Sequence, residues 1–581
     1  MKQYLLLFIS LLSISLSAEE ITVDKAKELA NIFYQKNHPQ QLSASLQMVY
    51  DGETNQSRAS GKAPALYVFS NIQGKGFVVI SGEDTTIPLL GYSYENDFPQ
   101  ENIPYNIQGW LDNMKSQIQY YRENDISNNS RAIGNIGEVV IKLDTPLWDQ
   151  MDPYNTVCSK LYGQEVPTGC VITATAIAMR YHAWPPKGTG TAPQYRTNTT
   201  NTYISARNLE HEYLWDEMPY DYRGVTDEKP KELVAELMAD LGVLLQADYN
   251  PVNGTGAYMN SIMKGLSNHM DYDKSGIYLR RDDNYDKEWY EILKNELHNN
   301  RPIIYDGSNN SAGHAFILDG YTTNDYFSVN WGWGSMYNGY FLLDIMNPGG
   351  SGVGGNNSHY NYYQGAVINL KKNEGGEPVE LFQYREDVNG RFGLTVIEDN
   401  IDKNQTIKLA VSWVGNTGNT IINGKFMFGL VDANGNIKEE LYWFLIEDLH
   451  SDLGWTFEQF ITINSEIELG DRICCFYTSE RNPEWTLIKG GEKCTWEIIV
   501  GVKKPIGENT KLRFNKKEKI LYINTMRDVT VQAMHKGIEL NSLNKLSDIE
   551  YSLTTEGLST ITLLLKKEDE SEEISIKLGN E

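Results

Sequence analysis

Pro167-Thr168-Gly169-Cys170-Val171-Ile172-Thr173-Ala174 sets a thiol directly after a flexible glycine, at the start of an apolar stretch that runs to His182. The stretch from Val171 to His182 is rich in Ala and Ile, which predicts a buried helix. A cysteine at a helix start feels the positive end of the helix dipole, about half an elementary charge, and an imidazolium partner would lower its pKa further. The placement therefore predicts a thiolate nucleophile, which needs a base within hydrogen-bond reach.

The candidate base is His314, in Ala312-Gly313-His314-Ala315-Phe316-Ile317-Leu318-Asp319-Gly320, at the start of an apolar strand. The next strand, Tyr326-Phe327-Ser328-Val329-Asn330-Trp331-Gly332-Trp333-Gly334, offers Asn330 as an orienting amide and Trp331 as a cover that excludes water. An amide acceptor fixes the imidazole tautomer. His182 is a rival base, but it lies on the helix of Cys170, about 18 Å away at 1.5 Å per residue, which removes it from the dyad.

Outward from this centre, Lys231 to Leu245 puts Leu233, Val234, Leu237, Met238, Leu241 and Leu244 on one helical face. Runs at Pro302 to Asp306, His314 to Tyr321, Tyr326 to Trp331 and Gly339 to Asp344 predict an antiparallel sheet of hairpins. Towards the N-terminus, Val23 to Tyr34 has helical spacing, and Ala65 to Ser70 with Gly76 to Ser81 forms a hairpin around Gln73-Gly74-Lys75, a small α+β unit. From Asn124 to Gly137 the chain turns to Asn, Ser and Gly with Arg131 among them, an exposed linker or an ordinary loop. Beyond about 374, strands such as Ile407 to Val414, Lys425 to Val431 and Trp496 to Val500 predict an all-β sandwich. After Lys503-Lys504-Pro505, the runs Lys519 to Ile523, Val529 to Ala533 and Ser559 to Leu565 predict a small terminal β domain.

A chain of 581 residues exceeds one core and calls for several domains. Its net charge of −26 argues against nucleic acid as a partner, because phosphate binding needs clustered Lys and Arg. Lys2, the apolar run Tyr4 to Leu16 and Ser17-Ala18 read as a signal peptide, and no later apolar run is long enough to span a membrane. The five cysteines, Cys158, Cys170, Cys474, Cys475 and Cys494, match no zinc module. Cys158 takes a structural or free-thiol role. Cys474 and Cys475 point to opposite faces of a strand, so one of them could pair with Cys494, or all remain buried thiols.

These residues carry a resemblance to the streptopain family of secreted, papain-like bacterial cysteine proteases. It rests on Thr168-Gly169-Cys170 with its helix ending in Tyr181-His182, on Gly313-His314-Ala315-Phe316, and on Val329-Asn330-Trp331-Gly332-Trp333-Gly334. Glu236-Leu237-Met238-Ala239-Asp240, Asp344 to Pro348 and Gln364-Gly365-Ala366-Val367 extend it over residues 144 to 370. Residues 19 to 131 are similar to that family's propeptide, notably Gly76 to Gly82 and Leu90-Gly91-Tyr92-Ser93, which turns the linker into a maturation site near Arg131. By the same resemblance, Gln150 matches an oxyanion-hole glutamine. Gly313 and Thr255 fall where the family contacts substrate, Thr255 departing from a Ser-rich loop, and Trp331 joins them in the substrate-binding set.

The expected fold is thus α+β: a signal peptide (1–18), an inhibitory propeptide (19–131), a papain-like protease domain (132–373), a β-sandwich (374–504) and a small β domain (505–581). The expected function is a secreted cysteine endopeptidase made as a zymogen, with Cys170, His314, Asn330 and Gln150 catalytic. Thiol chemistry requires neither metal nor organic cofactor. Partners are protein substrates, the chain's own propeptide and, for the C-terminal domains, a host-surface ligand. The alternative is an adhesion protein with a silent protease domain. Acyl transfer to an amine is a third option, and residues after about 505 could serve as an export or attachment signal.

Overall fold

The computed structural model describes residues 20–37, 45–51, 64–99, 103–124, 137–281, 286–308, 313–344, 363–385, 387, 392–396, 403–468, 471–490, 496–497, 500–501, 510–515, 519–525, 529–536, 538–547, 549–556, 558, 560–567 and 570–577. The signal peptide, Arg131 with its linker, Cys494 and the Lys503-Lys504-Pro505 boundary lie outside them. The chain divides into two compact units, Met1–Glu377 and Pro378–Glu581.

The first unit opens with α1 (Val23–Asn37), whose Ala26, Ala30, Phe33 and Tyr34 recur on one face and are buried. Strands β1 (Leu46–Tyr50), β2 (Leu66–Asn71), β3 (Phe77–Ser81) and β4 (Leu89–Ser93) follow as an antiparallel set, with β2 and β3 the expected hairpin. Next comes α2 (Tyr105–Asn124), which sequence reading passed over although Ile107, Trp110, Leu111, Met114 and Ile118 repeat at helical spacing and are all buried. The protease region contributes β5 (Val139–Lys142), α3 (Thr156–Tyr162), α4 (Cys170–His182), α5 (Glu228–Leu244), α6 (Ser261–His269), β6 (Ile277–Arg280) and α7 (Asp286–His298). It ends in β7 (Ile303–Ser308), β8 (Gly313–Thr322), β9 (Phe327–Asn330), β10 (Gly339–Phe341) and β11 (Tyr363–Ile368). α5 starts three residues earlier than expected because the Asp227 side chain accepts from the Lys229 N–H and caps it.

One sheet joins both parts in the order β1-β2-β3-β4-β10-β9-β8-β7-β11-β6, with β5 on β8. The seam is β4 against β10, where Tyr92 opposes Tyr340 and Gly91 opposes Phe341. Side chains alternate across this sheet. Phe316 and Leu318 of β8 enter one core with Ile107 and Trp110 of α2 and Tyr290 of α7, whereas Ala315 and Ile317 enter the other with Ile172 and Ala176 of α4.

The second unit is β-rich. Strands 382–384, 394–396, 406–416 and 454–462 form one antiparallel sheet, while 422–431, 437–449, 472–479, 486–487 and 496–497 form another. Leu409 and Val411 of the first share an apolar cluster with Phe426, Phe428 and Cys475 of the second. Cys474 lies in a separate cluster with Met427 and Phe476, so the adjacent cysteines do face opposite ways, and both are buried. The single strand expected at 496–500 is two: 496–497 pairs with Arg472–Ile473, and 500–501 pairs with 511–512 of the next sheet. Two further sheets, one of strands 500–501, 511–515, 520–524, 550–554 and 543–545 and the other of 538–539, 530–535, 560–567 and 570–577, share a cluster around Leu521, Leu553 and Leu563.

Candidate active site

Cys170 is the first residue of α4, and Gly169 before it has φ 98°, a backbone state that favours glycine. A Cβ at Gly169 would also lie 2.7 Å from the Thr255 carbonyl oxygen, so the loop of Thr255 closes directly on the start of the helix. The Thr255 hydroxyl donates to the Pro167 carbonyl at 2.7 Å. Gln150 is buried beside them, its carbonyl accepting from the Thr168 N–H at 3.0 Å and its own N–H donating to Asp149 at 2.6 Å. Gln150, Thr255 and Cys170 therefore converge on one helix end.

The thiol differs from the sequence expectation. Burial pushes the Cys170 pKa up rather than down, against backbone N–H groups of Ala315, Val171 and Cys170 itself, and the Asp306 carboxylate raises it further. Desolvation outweighs the helix end because no imidazolium contributes.

His314 explains why. Its imidazole lies against α2: a Cβ on Gly109 would be 2.8 Å from His314 Cδ2. Burial lowers its pKa to about 4, so the ring is neutral. What faces the sulfur is instead the N–H of Ala315, the next residue along β8. In this form the thiol and the imidazole are thus not joined as an ion pair.

Asn330 is buried opposite Ile317, on the α4 side of the sheet. Its Nδ2 donates to Thr145 Oγ1 at 3.1 Å and to the Pro146 carbonyl at 2.9 Å, and its Oδ1 accepts from the Gly332 N–H at 3.2 Å. Trp331, one residue on, faces the other way, with its ring 4.6 Å from Phe316 and 5.3 Å from Phe341. Gly313 begins β8 and is exposed. His182 ends the unbroken helix α4, far from Cys170, and Cys158 is fully buried with its thiol pushed up to about 11. Among the described residues no His, Cys, Asp or Glu group could hold a metal ion, and no helix is long and apolar enough to cross a membrane.

Sequence reading missed the residues that tie α2 to the segments around β9 and β10. Asn106 of α2 donates to the Trp331 carbonyl at 2.9 Å and accepts from Trp333 Nε1 at 3.0 Å. Trp110 Nε1 donates to the Leu342 carbonyl at 2.9 Å. The α2 periodicity was available as a signal. Gly109 carried none, because a glycine inside a helical pattern looks only like a propensity cost.

A thiol at a helix start, a histidine on the adjoining strand and an N-terminal region whose helix covers that histidine define a cysteine peptidase in its latent form. The Peptidase C10 family model matches residues 148–341, and the Spi protease inhibitor model matches residues 18–118. This chain belongs to the Peptidase C10 family. It is 31% identical over 369 residues to streptopain of Streptococcus pyogenes, covering 60% of this chain and 91% of that protein. It is 33% identical over 379 residues to the thiol protease/hemagglutinin PrtT of Porphyromonas gingivalis, covering 61% of this chain but only 42% of that protein. A fragment of prointerpain A from Prevotella intermedia is 29% identical with a TM-score of 0.46, covering 56% of this chain and 99% of that one.

Proposed function

We propose that the protein is an exported zymogen of a cysteine endopeptidase, with a signal peptide at 1–18, a propeptide at 19–131 and a protease domain at 132–373. The observation that supports this reading is α2 packed on His314, so close at Gly109 that a Cβ there would lie 2.8 Å from His314 Cδ2. Removal of the propeptide frees the imidazole to reach Cys170. Its proton acceptance then yields a thiolate–imidazolium pair.

The thiolate attacks the scissile carbonyl carbon, and the carbonyl electrons move to oxygen. The Gln150 amide and the Cys170 N–H stabilise that oxyanion; losing one such donor typically costs about 100- to 1,000-fold in turnover. The imidazolium returns its proton to the departing amine, leaving an acyl-enzyme on Cys170. His314 next takes a proton from water, whose oxygen displaces the thiolate. Asn330 orients the imidazole, and Gly313, Thr255 and Trp331 border the bound peptide. No cofactor enters this scheme.

For residues 374–504 we propose a β-sandwich and for 505–581 a small β domain, supported by paired antiparallel sheets that share apolar clusters. Exposed Trp443, Leu445 and Phe460 support a role for this unit in holding a protein or glycan on a host surface.

The test is to incubate the purified zymogen, sequence the new N-termini and assay casein hydrolysis, then repeat both with Cys170→Ala. Wild type should mature near Arg131 and digest casein, and the variant should do neither. Casein hydrolysis by Cys170→Ala would overturn the assignment.

A further inference from the structure

A row of residues crosses four strands of the sheet beside Cys170. Arg280 of β6 opposes Gly365 of β11, Gly365 opposes Asp306 of β7, and Asp306 opposes Ala315 of β8. Residues directly opposite in antiparallel strands project to the same face. For this row it is the α4 face, since Ile304, two residues before Asp306, and Ala315 itself pack there with Ile172 and Ala176. Ala315 is the residue whose N–H meets the Cys170 sulfur. The next side chain across the sheet from the nucleophile's contact is therefore a carboxylate.

That carboxylate is not consumed by a structural ion pair among the described residues. The Tyr278 hydroxyl donates to it at 3.1 Å, reaching over Gly365, where any side chain would collide with the Tyr278 ring. Asp306 is half-buried, and neither backbone capping nor a helix end explains an acid at the centre of an apolar sheet. A carboxylate without an ion-pair partner beside a reactive thiol is a candidate for function.

We propose that Asp306 forms the wall of the substrate cleft next to Cys170 and selects substrates that carry a lysine or arginine side chain beside the scissile bond. The inference rests on the peptidase reading above. A cationic side chain entering the cleft replaces water around the carboxylate with a charge-assisted hydrogen bond, while Tyr278 holds the carboxylate's orientation. The groups facing Asp306 are Tyr278 and Arg280 from β6 and Cys170 from α4, with Gly365 and Ala315 adding no charge from β11 and β8. Burial raises the Asp306 pKa to about 7 despite Tyr278 and Arg280, so its charge, and with it the selectivity, grows as pH rises through neutrality.

The test uses enzyme activated from the full chain and fluorogenic peptides that differ only by Lys, Arg, Gln or Glu at each of the positions flanking the scissile bond. At one position Lys or Arg should raise kcat/KM about tenfold over Gln, the worth of one good charge contact. Asp306→Asn should bring that ratio close to one, and Asp306→Lys should turn it in favour of Glu. The wild-type ratio should climb with a midpoint at about pH 7, a readout that requires no variant to fold. A wild type without basic preference at any position, or a preference that survives Asp306→Asn, overturns the inference. Cys170-dependent cleavage of the Gln peptide reports separately on the peptidase reading, so the two can fail independently.

Discussion

Gly109 of α2 lies directly against the His314 imidazole. A methyl group added at Gly109 would meet His314 Cδ2 at 2.8 Å, so the ring or the helix must shift. Overpacking of this kind costs about 1–3 kcal/mol, against roughly 0.5–1 kcal/mol gained by replacing a helical glycine with alanine. Gly109→Ala should therefore destabilise the latent form and speed self-maturation, as measured by the appearance of casein hydrolysis with time. The imidazole adds a pH term. Its pKa falls from the ordinary 6.5 to about 4 on burial, so the latent fold excludes a proton that the released ring would bind. Latency is full above pH 6.5 and weakens as pH falls toward 4. In the Cys170→Ala background the thermal midpoint should drop over that window, and His314→Gln should remove part of the drop. The buried His182, lowered in the same direction, adds to the drop, and Asp306, raised to about 7, opposes it. The sequence pointed to Cys170 and His314 through their neighbours, but the packing of α2 against the imidazole leaves no trace in spacing.

Helix α2 is the element on which latency depends. Trp110 is buried between the sheet and the helix, packs edge-on at 4.9 Å to Phe341 and donates to the Leu342 carbonyl. Trp110→Ala should cost about 3–5 kcal/mol, read as a lower urea midpoint in the Cys170→Ala zymogen. Helix α4, strands β7 to β9 and the β2–β3 hairpin were legible because each carries an unambiguous period or a turn between apolar runs. The register of Asp306 against Ala315 was not, since pairing between strands separated by a loop is set by tertiary packing. The same reason split the strand expected at 496–500: alternation identifies extended chain but not which sheet receives it.

At the scale of the molecule, the two units divide at Glu377–Pro378, close to where the sequence changes from mixed patterns to uninterrupted strands. Deleting residues 378–581 should leave maturation and peptide cleavage intact, as judged by the new N-termini and kcat/KM of the shortened chain, because the described site draws every residue from the first unit. Within that unit the β4–β10 seam means that propeptide and protease share a continuous sheet. Cutting the linker breaks one covalent bond and none of the backbone hydrogen bonds at the seam. What the cut changes is concentration: an inhibitor tethered at an effective millimolar level becomes a separate molecule at the concentration of the protein itself. Activity after cleavage should therefore depend on dilution, emerging as the cut protein spreads from its source and staying low where it is crowded.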